Sequence, residues 1–253
     1  MTSGSASGTS ARRFDDRRLG IMSPAKRALV VGNTDGIGLA VTRRLLGDGW
    51  VVSGVSRRAS PLGETVGYRH TIADVATAEY PVALRTMLAS EGPFELCVYC
   101  AGVGNLLDPD DLADEPRVFG VNLLGAVETV TVVLPSMMSA GRGHFVGLSS
   151  IGDRVSPDAP SYSASKAGLS SYLEGLALAL RSRGVRVTNL RFGFVDTKMA
   201  KAKVRPFMMT IERAVDIVAR CLRRRPARFT YPRRLAALVW LSNLFLSVRL
   251  WFA

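Results

Sequence analysis

Tyr162 and Lys166 stand four residues apart in the run Y-S-A-S-K, and Ser149 lies thirteen residues before the tyrosine. On a helix that spacing is about one turn, so the phenol and the ammonium project from one face. A lone tyrosine is a poor acid at neutral pH because its ordinary pKa is about 10. A fixed ammonium beside it, together with the charge of an oxidised nicotinamide, favours the phenolate and lowers that value. Such a tyrosine exchanges a proton with a carbonyl or alcohol oxygen while a bound coenzyme exchanges hydride with the attached carbon.

A nucleotide site is expected where Gly32, Gly36 and Gly38 punctuate V-V-G-N-T-D-G-I-G-L-A between an apolar run and an amphipathic one. Glycines there allow a tight turn, and their missing side chains let backbone amides approach a pyrophosphate at a helix N-terminus. Asn33, Thr34, Asp35 and Ile37 complete that loop. After the second strand come Ser56, Arg57 and Arg58, where an acidic residue would bind the ribose hydroxyl of NAD. Arginines there suit a 2'-phosphate, so NADP(H) is favoured over NAD(H), although Asp35 sets an anion nearby. Asp74, followed by Val75 at the end of the third strand, is placed to accept from the adenine edge; its ordinary alternative is to cap the following turn.

These residues need a scaffold, and from Arg27 onward short apolar runs alternate with amphipathic stretches. ALVVG, WVVSGVS, YRHTIADV, FELCVYCAG, GHFVGLSS and VRVTNLRFGFV read as strands; the intervening stretches, including long ones over residues 114–141 and 161–184, read as helices. Alternation of this kind predicts an α/β fold: a doubly wound parallel sheet of Rossmann type with helices on both faces and ligands beyond the carboxyl ends of the strands.

With these motifs in place, the chain resembles the short-chain dehydrogenase/reductase family of tyrosine-dependent oxidoreductases over roughly residues 26 to 230. The resemblance implies about seven strands and assembly as a homodimer or homotetramer through the two long helices. It implies that Ser149 holds the substrate oxygen and that Tyr162 transfers the proton. Lys166 would bind the nicotinamide ribose, and Asn122, in V-N-L-L-G, would anchor a water leading from Lys166 to solvent. Ser150 competes for the serine role, but the count to Tyr162, and Gly152 three residues on, favour Ser149. Two departures stand out. The family's Asn-Asn-Ala-Gly is here Tyr99, Cys100, Ala101 and Gly102, which keeps the small pair beside the coenzyme and loses the asparagine hydrogen bonds. Its Pro-Gly after the sixth strand is Phe192-Gly193, with Val195 and Thr197 left to meet the carboxamide and phosphate.

The formal net charge is +12 in 253 residues, but it belongs to the ends. Residues 1–27 hold six basic and two acidic side chains, residues 217–253 hold eight basic and none acidic, and the body between is neutral. A nucleic-acid reader spreads its cations over a folded face, so no nucleic-acid partner is expected. Cys97, Cys100 and Cys221 are odd in number, and Cys97 and Cys100 fall three apart on a strand, on opposite faces, so they read as free thiols in a reducing, cytoplasmic setting. With His70 and His144 the sole histidines, no metal site is expected, and G-L-S-S-I-G lacks the spacing of a serine-hydrolase elbow. His144 reads as structural.

Residues 1–24 read as a disordered basic extension, with Met22 an alternative start; residues 25–232 read as the catalytic domain. The stretch D-T-K-M-A-K-A-K-V-R-P-F-M-M-T lies where the family's substrate lid lies, mixing Lys198, Lys201, Lys203 and Arg205 with Met199, Phe207, Met208 and Met209. That mixture suits an apolar, lipid-like substrate with an anionic group, or an ordinary solvated loop. Residues 233–253 read as an apolar helix behind an arginine-rich approach, and nineteen helical residues from Leu235 rise roughly 28 Å. Three readings follow, in order: peripheral membrane contact, packing on the enzyme or its oligomeric partner, and a true span. The expected function is therefore an NAD(P)-dependent oxidoreductase acting on a carbonyl or secondary alcohol. The alternatives are a catalytically idle nucleotide-binding sensor or scaffold, and a reductase of a polyprenyl-linked keto-sugar.

Overall fold

Seven extended runs pair side by side because their backbone groups are satisfied only against neighbours, the five inner ones mostly buried and the two edge ones, YRHTI and RFTY, partly exposed. In the computed structural model, which describes residues 25–200 and 204–251, they are β1 (Arg27–Val31), β2 (Val51–Ser56), β3 (Tyr68–Ile72), β4 (Leu96–Tyr99), β5 (Gly143–Ser150), β6 (Val185–Phe192) and β7 (Arg228–Tyr231). The extension 1–24 with Met22, and the loop residues Lys201 and Lys203, lie outside the described residues.

All six pairings are parallel, in the order β3-β2-β1-β4-β5-β6-β7. The expected Rossmann-type sheet is the observed one. Chain order reverses between β1 and β4, and the crevice at that switch point is where such sheets take ligands. One face is covered by α1 (Gly36–Gly47) and α6 (Ile211–Arg224), whose Val41, Leu45, Ala214 and Ile217 pack on Val30, Val98 and Val146. The other face is covered by α2 (Tyr80–Glu91), α4 (Gly125–Ser139) and α5 (Pro160–Ala179), whose Leu84, Val133 and Leu173 pack on Leu29, Cys97 and Phe145. Cys97 and Cys100 join opposite cores, and all three cysteines are free.

The first long helix departs from a plain α-helical reading. It begins as α3 (Glu115–Phe119), widens into a π-helical turn over Gly120–Leu124, and continues as α4. Such a turn inserts one residue and re-aims the side chains after it, and this one carries Asn122. Glu115–Ser139 is apolar and long enough to cross a membrane, but 56% of its apolar window is buried in the domain, so it is a core helix. The apolar tail forms α7 (Arg233–Leu250), rooted where Leu235 packs against Gly193, with Ala236, Val239, Asn243 and Leu246 half-buried along one side and Leu238, Trp240, Leu241, Leu244 and Phe245 exposed.

Candidate active site

The strand-to-helix turn after β1 is the first wall of the crevice. Gly32 has φ +82, and a Cβ on it would stand 2.5 Å from the backbone N of Ala101, so only glycine lets the two loops close on each other. Asp35 caps α1 by accepting from the Gly36 N–H at 2.8 Å, and its other oxygen accepts from Lys198 Nζ at 2.8 Å. That Lys198 hydrogen bond, the Gly36 amide and the charges of Lys198 and Arg58 hold the Asp35 carboxyl below the usual range. The anion that argued against a phosphate-bearing coenzyme is therefore neutralised by a lysine from the far loop. Ile37 and Gly38 belong to the first turn of α1, with Gly38 buried and Thr34 half-buried beside them.

Two expected coenzyme contacts turn inward instead. Asn33 is fully buried, and its N–H donates to Ser56 Oγ at 2.9 Å while Ser56 Oγ donates to Asn33 Oδ1 at 3.0 Å. Their side chains shape the loop from beneath, because each satisfies the other. Arg57 and Arg58, next along, are both exposed. Asp74 takes its ordinary alternative: Oδ1 accepts from the Ala76 N–H at 3.0 Å and Oδ2 accepts from Arg117 at 2.7 Å. Burial raises its pKa, but the Arg117 and Ala76 hydrogen bonds and the charges of Arg117 and Arg57 outweigh it, leaving the group below the carboxylate range. The side chain of Val75 is part of the core.

On the opposite wall, Tyr162 and Lys166 sit in the first two turns of α5, one turn apart as the spacing predicts. Lys166 Nζ lies 6.0 Å from the Tyr162 ring centroid and donates to the Leu148 carbonyl at 3.0 Å. Burial lowers the Lys166 pKa to about 8 and, against expectation, raises that of Tyr162, with a hydrogen bond to Ser150 pulling the phenol back and the Asp153 carboxylate adding to the rise. Desolvation thus dominates the phenol, and the Lys166 ammonium is committed to the Leu148 carbonyl.

The two serines separate. Successive residues of β5 face opposite sides of the sheet. Ser149 donates to Asn189 Oδ1 at 2.5 Å and accepts from Ser170 at 3.1 Å, inside a buried network that continues to Asp153, Arg191 and Glu174. Ser150 accepts from the Gly152 N–H at 2.9 Å and lies on the Tyr162 side, since a Cβ on Gly152 would stand 3.3 Å from Ser150 Oγ and 3.7 Å from Tyr162 Cε1. The hydroxyl expected to hold the substrate oxygen is thus engaged by Asn189 and Ser170, and its neighbour Ser150 is the one beside Tyr162.

Asn122 Nδ2 donates to the Val103 carbonyl at 2.9 Å and to Ser165 Oγ at 3.0 Å, and its Oδ1 accepts from the Val103 N–H at 2.8 Å. It thereby fixes the Ala101–Gly104 loop. A Cβ on Gly102 would stand 3.5 Å from Lys166 Nζ, and one on Gly104 would stand 2.8 Å from Tyr162 Cδ2. Gly104 is a site residue that sequence reasoning missed; its signal was only a second glycine two residues after Gly102. Beyond β6, Gly193 supports Leu235, Val195 bridges to Met209, and Thr197 lies over Gly36, so this segment closes the crevice from above.

The glycine turn at the head of α1, the exposed arginines after β2 and Gly102 beside Lys166 all follow the carboxyl ends of strands, where sheets of this type take a dinucleotide.

The sequence pattern of the short chain dehydrogenase family matches residues 26–206. An uncharacterized oxidoreductase of Myxococcus xanthus is 35% identical over 228 residues, covering 83% of this chain and 89% of its own. Oxidoreductase UcpA of Escherichia coli is 30% identical over 192 residues, covering 71% and 73%. A short-chain dehydrogenase structure from Streptomyces avermitilis superposes with a TM-score of 0.76 at 24% identity, over 89% of this chain and 94% of that one. Sheet order, glycine turn and tyrosine helix agree with that match, and the chain belongs to the short-chain dehydrogenase/reductase family of NAD(P)-binding oxidoreductases.

Proposed function

We propose that the protein is an NADP(H)-preferring carbonyl reductase or secondary-alcohol dehydrogenase whose substrate has an apolar body. The observation that carries this reading is the Tyr162 phenol, beside Ser150 at Gly152 and one helical turn from the buried Lys166. When bound, the reduced nicotinamide supplies the hydride that adds to the carbonyl carbon. Ser150 donates to the carbonyl oxygen and holds it against Tyr162, which gives that oxygen its proton. Lys166 carries a positive charge toward the phenolate left behind and toward the ribose, and a pKa of about 8 lets it pass a proton on near neutral pH. Asn122 keeps the Val103 loop from closing onto that ammonium. Arg57 and Arg58 receive the 2'-phosphate.

Exposed Met199, Phe207 and Met208 beside Lys198 and Arg205 support an apolar substrate with an anionic group. The open apolar surface of α7, behind Arg233 and Arg234, supports peripheral contact with an anionic membrane next to the crevice. Residues 25–232 form the catalytic unit in this reading, assembled as a homodimer or homotetramer and working in the cytoplasm or at its membrane surface.

The test is titration with NADPH and NADH followed by a ketone panel including long-chain and isoprenoid members. Tyr162→Phe should abolish turnover and keep coenzyme affinity; a variant that still turns over defeats the assignment. Because Leu235 packs on Gly193, the membrane arm is tested by Trp240→Ser, Leu241→Ser, Leu244→Ser and Phe245→Ser together, not by deleting the helix. Co-sedimentation with phosphatidylglycerol vesicles should fall; undiminished co-sedimentation rules out the contact.

A further inference from the structure

We propose that Tyr68 and His70, side by side on β3, are positioning residues for coenzyme discrimination: they tether the loop after β2 so that Arg57 and Arg58 are presented to a 2'-phosphate. The proposal rests on the reading that those two arginines receive that phosphate.

The connection from β2 to β3 is long and carries Ser, Pro and Gly, a composition that by itself leaves two arginine side chains loosely held. In the folded chain it is tied down from below. His70 Nε2 bonds the Arg58 carbonyl at 2.8 Å. A carbonyl only accepts, so Nε2 carries the proton and donates. His70 Nδ1 lies 3.2 Å from the Tyr68 hydroxyl, which donates to Ser60 Oγ at 2.8 Å and accepts from Asn33 Nδ2. Asn33 in turn exchanges hydrogen bonds with Ser56, the residue before Arg57. The tether therefore grips the loop at three places, Ser56, Arg58 and Ser60, and the Tyr68 and His70 rings stack with centroids 6.3 Å apart.

Burial separates the tether from what it presents. Asn33, Ser56 and Tyr68 are buried, whereas Arg57 and Arg58 are exposed. Gly54 makes room for the crossing, since a Cβ there would stand 1.9 Å from Asn33 Nδ2. The charge of Arg58 reaches Asp35 in the glycine turn and that of Arg57 reaches Asp74 at the end of β3, so the pair stands at the rim of the crevice that the coenzyme would occupy. Releasing the Arg58 backbone leaves both guanidiniums in the chain but requires binding to order them, a cost that only a ligand contacting them feels.

The experiment measures dissociation constants for NADPH and NADH, by coenzyme fluorescence, for the full chain and for His70→Ala, His70→Gln, Tyr68→Phe and the Arg57→Ala/Arg58→Ala double variant. His70→Ala should weaken NADPH by about three- to ten-fold, the effect of one lost hydrogen bond. NADH should change by less than about two-fold. His70→Gln, whose amide also donates to a carbonyl, should restore most of the NADPH affinity. Tyr68→Phe should shift the ratio in the same direction and serves where His70→Ala does not fold. If the double arginine variant erases the preference while neither β3 variant alters it, the tether is overturned and the phosphate reading stands. Equal losses for both coenzymes in His70→Ala likewise overturn it, and no preference in the unmodified chain overturns both.

Discussion

Replacing each of the adjacent serines separately by alanine separates geometry from sequence count. Ser150 is the hydroxyl beside Tyr162 and Ser149 the one committed to Asn189 and Ser170. Ser150→Ala removes a donor aimed at the reacting oxygen, and by comparison with other lost donors of that kind kcat should fall about 10²- to 10³-fold. Its hydroxyl, at the end of β5, accepts from the Gly152 amide and stands beside the phenol without holding a wholly buried amide oxygen, so the unfolding midpoint should hardly move. Ser149→Ala does the opposite. It strips Asn189 Oδ1, wholly buried, of its donor, at a cost of about 1–3 kcal/mol. In a chain of this size each kcal/mol moves the midpoint by about 2–4 °C. The melt should therefore drop by several degrees while turnover stays within a few-fold. Turnover is followed as NADPH absorbance with any ketone the unmodified protein reduces, and stability by circular dichroism. A Ser149→Ala protein that melts normally and has lost turnover, beside an active Ser150→Ala protein, refutes the reasoning.

Gly104→Ala places a methyl where the Tyr162 ring lies, 2.8 Å from Cδ2, and should cost about 10²-fold in kcat with NADPH affinity retained; an unimpaired variant shows that the ring is not held there. Lys198→Met leaves Asp35 facing the pyrophosphate without its partner, and because the pair is exposed the loss should be about two- to five-fold for NADPH and NADH alike, shrinking at high salt. A salt-independent loss contradicts the electrostatic account. His144 is buried against Thr188, and burial, followed by the charges of Arg225 and Arg186, lowers its pKa to about 3, below the unfolded value of about 6.5. The neutral ring is the folded form, so its contribution is whole above pH 6.5 and is lost as pH falls toward 3, at up to about 1.4 kcal/mol per pH unit. In urea unfolding His144→Phe should flatten that acid limb, and parallel limbs in the two proteins would rule the histidine out.

What could be read beforehand is what depends on periodicity and on short motifs. Alternating apolar runs specify a parallel sheet because both faces must be covered, and the four-residue interval from Tyr162 to Lys166 survives intact because a helix converts spacing into direction. The serine is less legible because counting across a turn does not preserve the face of the strand before it. Period two along β5 already places Ser149 with Phe145 and Gly147, and Ser150 with Val146 and Leu148; which set looks toward the tyrosine depends on how the helices stack. Asp35 and Lys198 meet across 163 residues, and Asn33 and Tyr68 across 35, so no local pattern announces either pair. The same holds for Asp74, whose partner Arg117 comes from the short helix before the π-helical turn.

The departure at Tyr99 and Cys100 takes on a different meaning once the chain is folded. Two asparagine side chains are lost there, and with them the hydrogen bonds that would brace the loop beneath a coenzyme. Tyr99 points away from that loop and donates to the Val121 carbonyl at 2.6 Å. It thus bolts β4 to the widened turn that carries Asn122, and Gly125 leaves room for the phenol, since a Cβ there would stand 2.6 Å from its oxygen. Asn122 then grips the same loop through both Val103 backbone groups. Support that would have come from the strand comes from the helix side instead, through one phenol and one amide. The positions of Gly102 against Lys166 and Gly104 against Tyr162 depend on that brace, so a motif that reads as degraded along the chain need not weaken proton transfer in space.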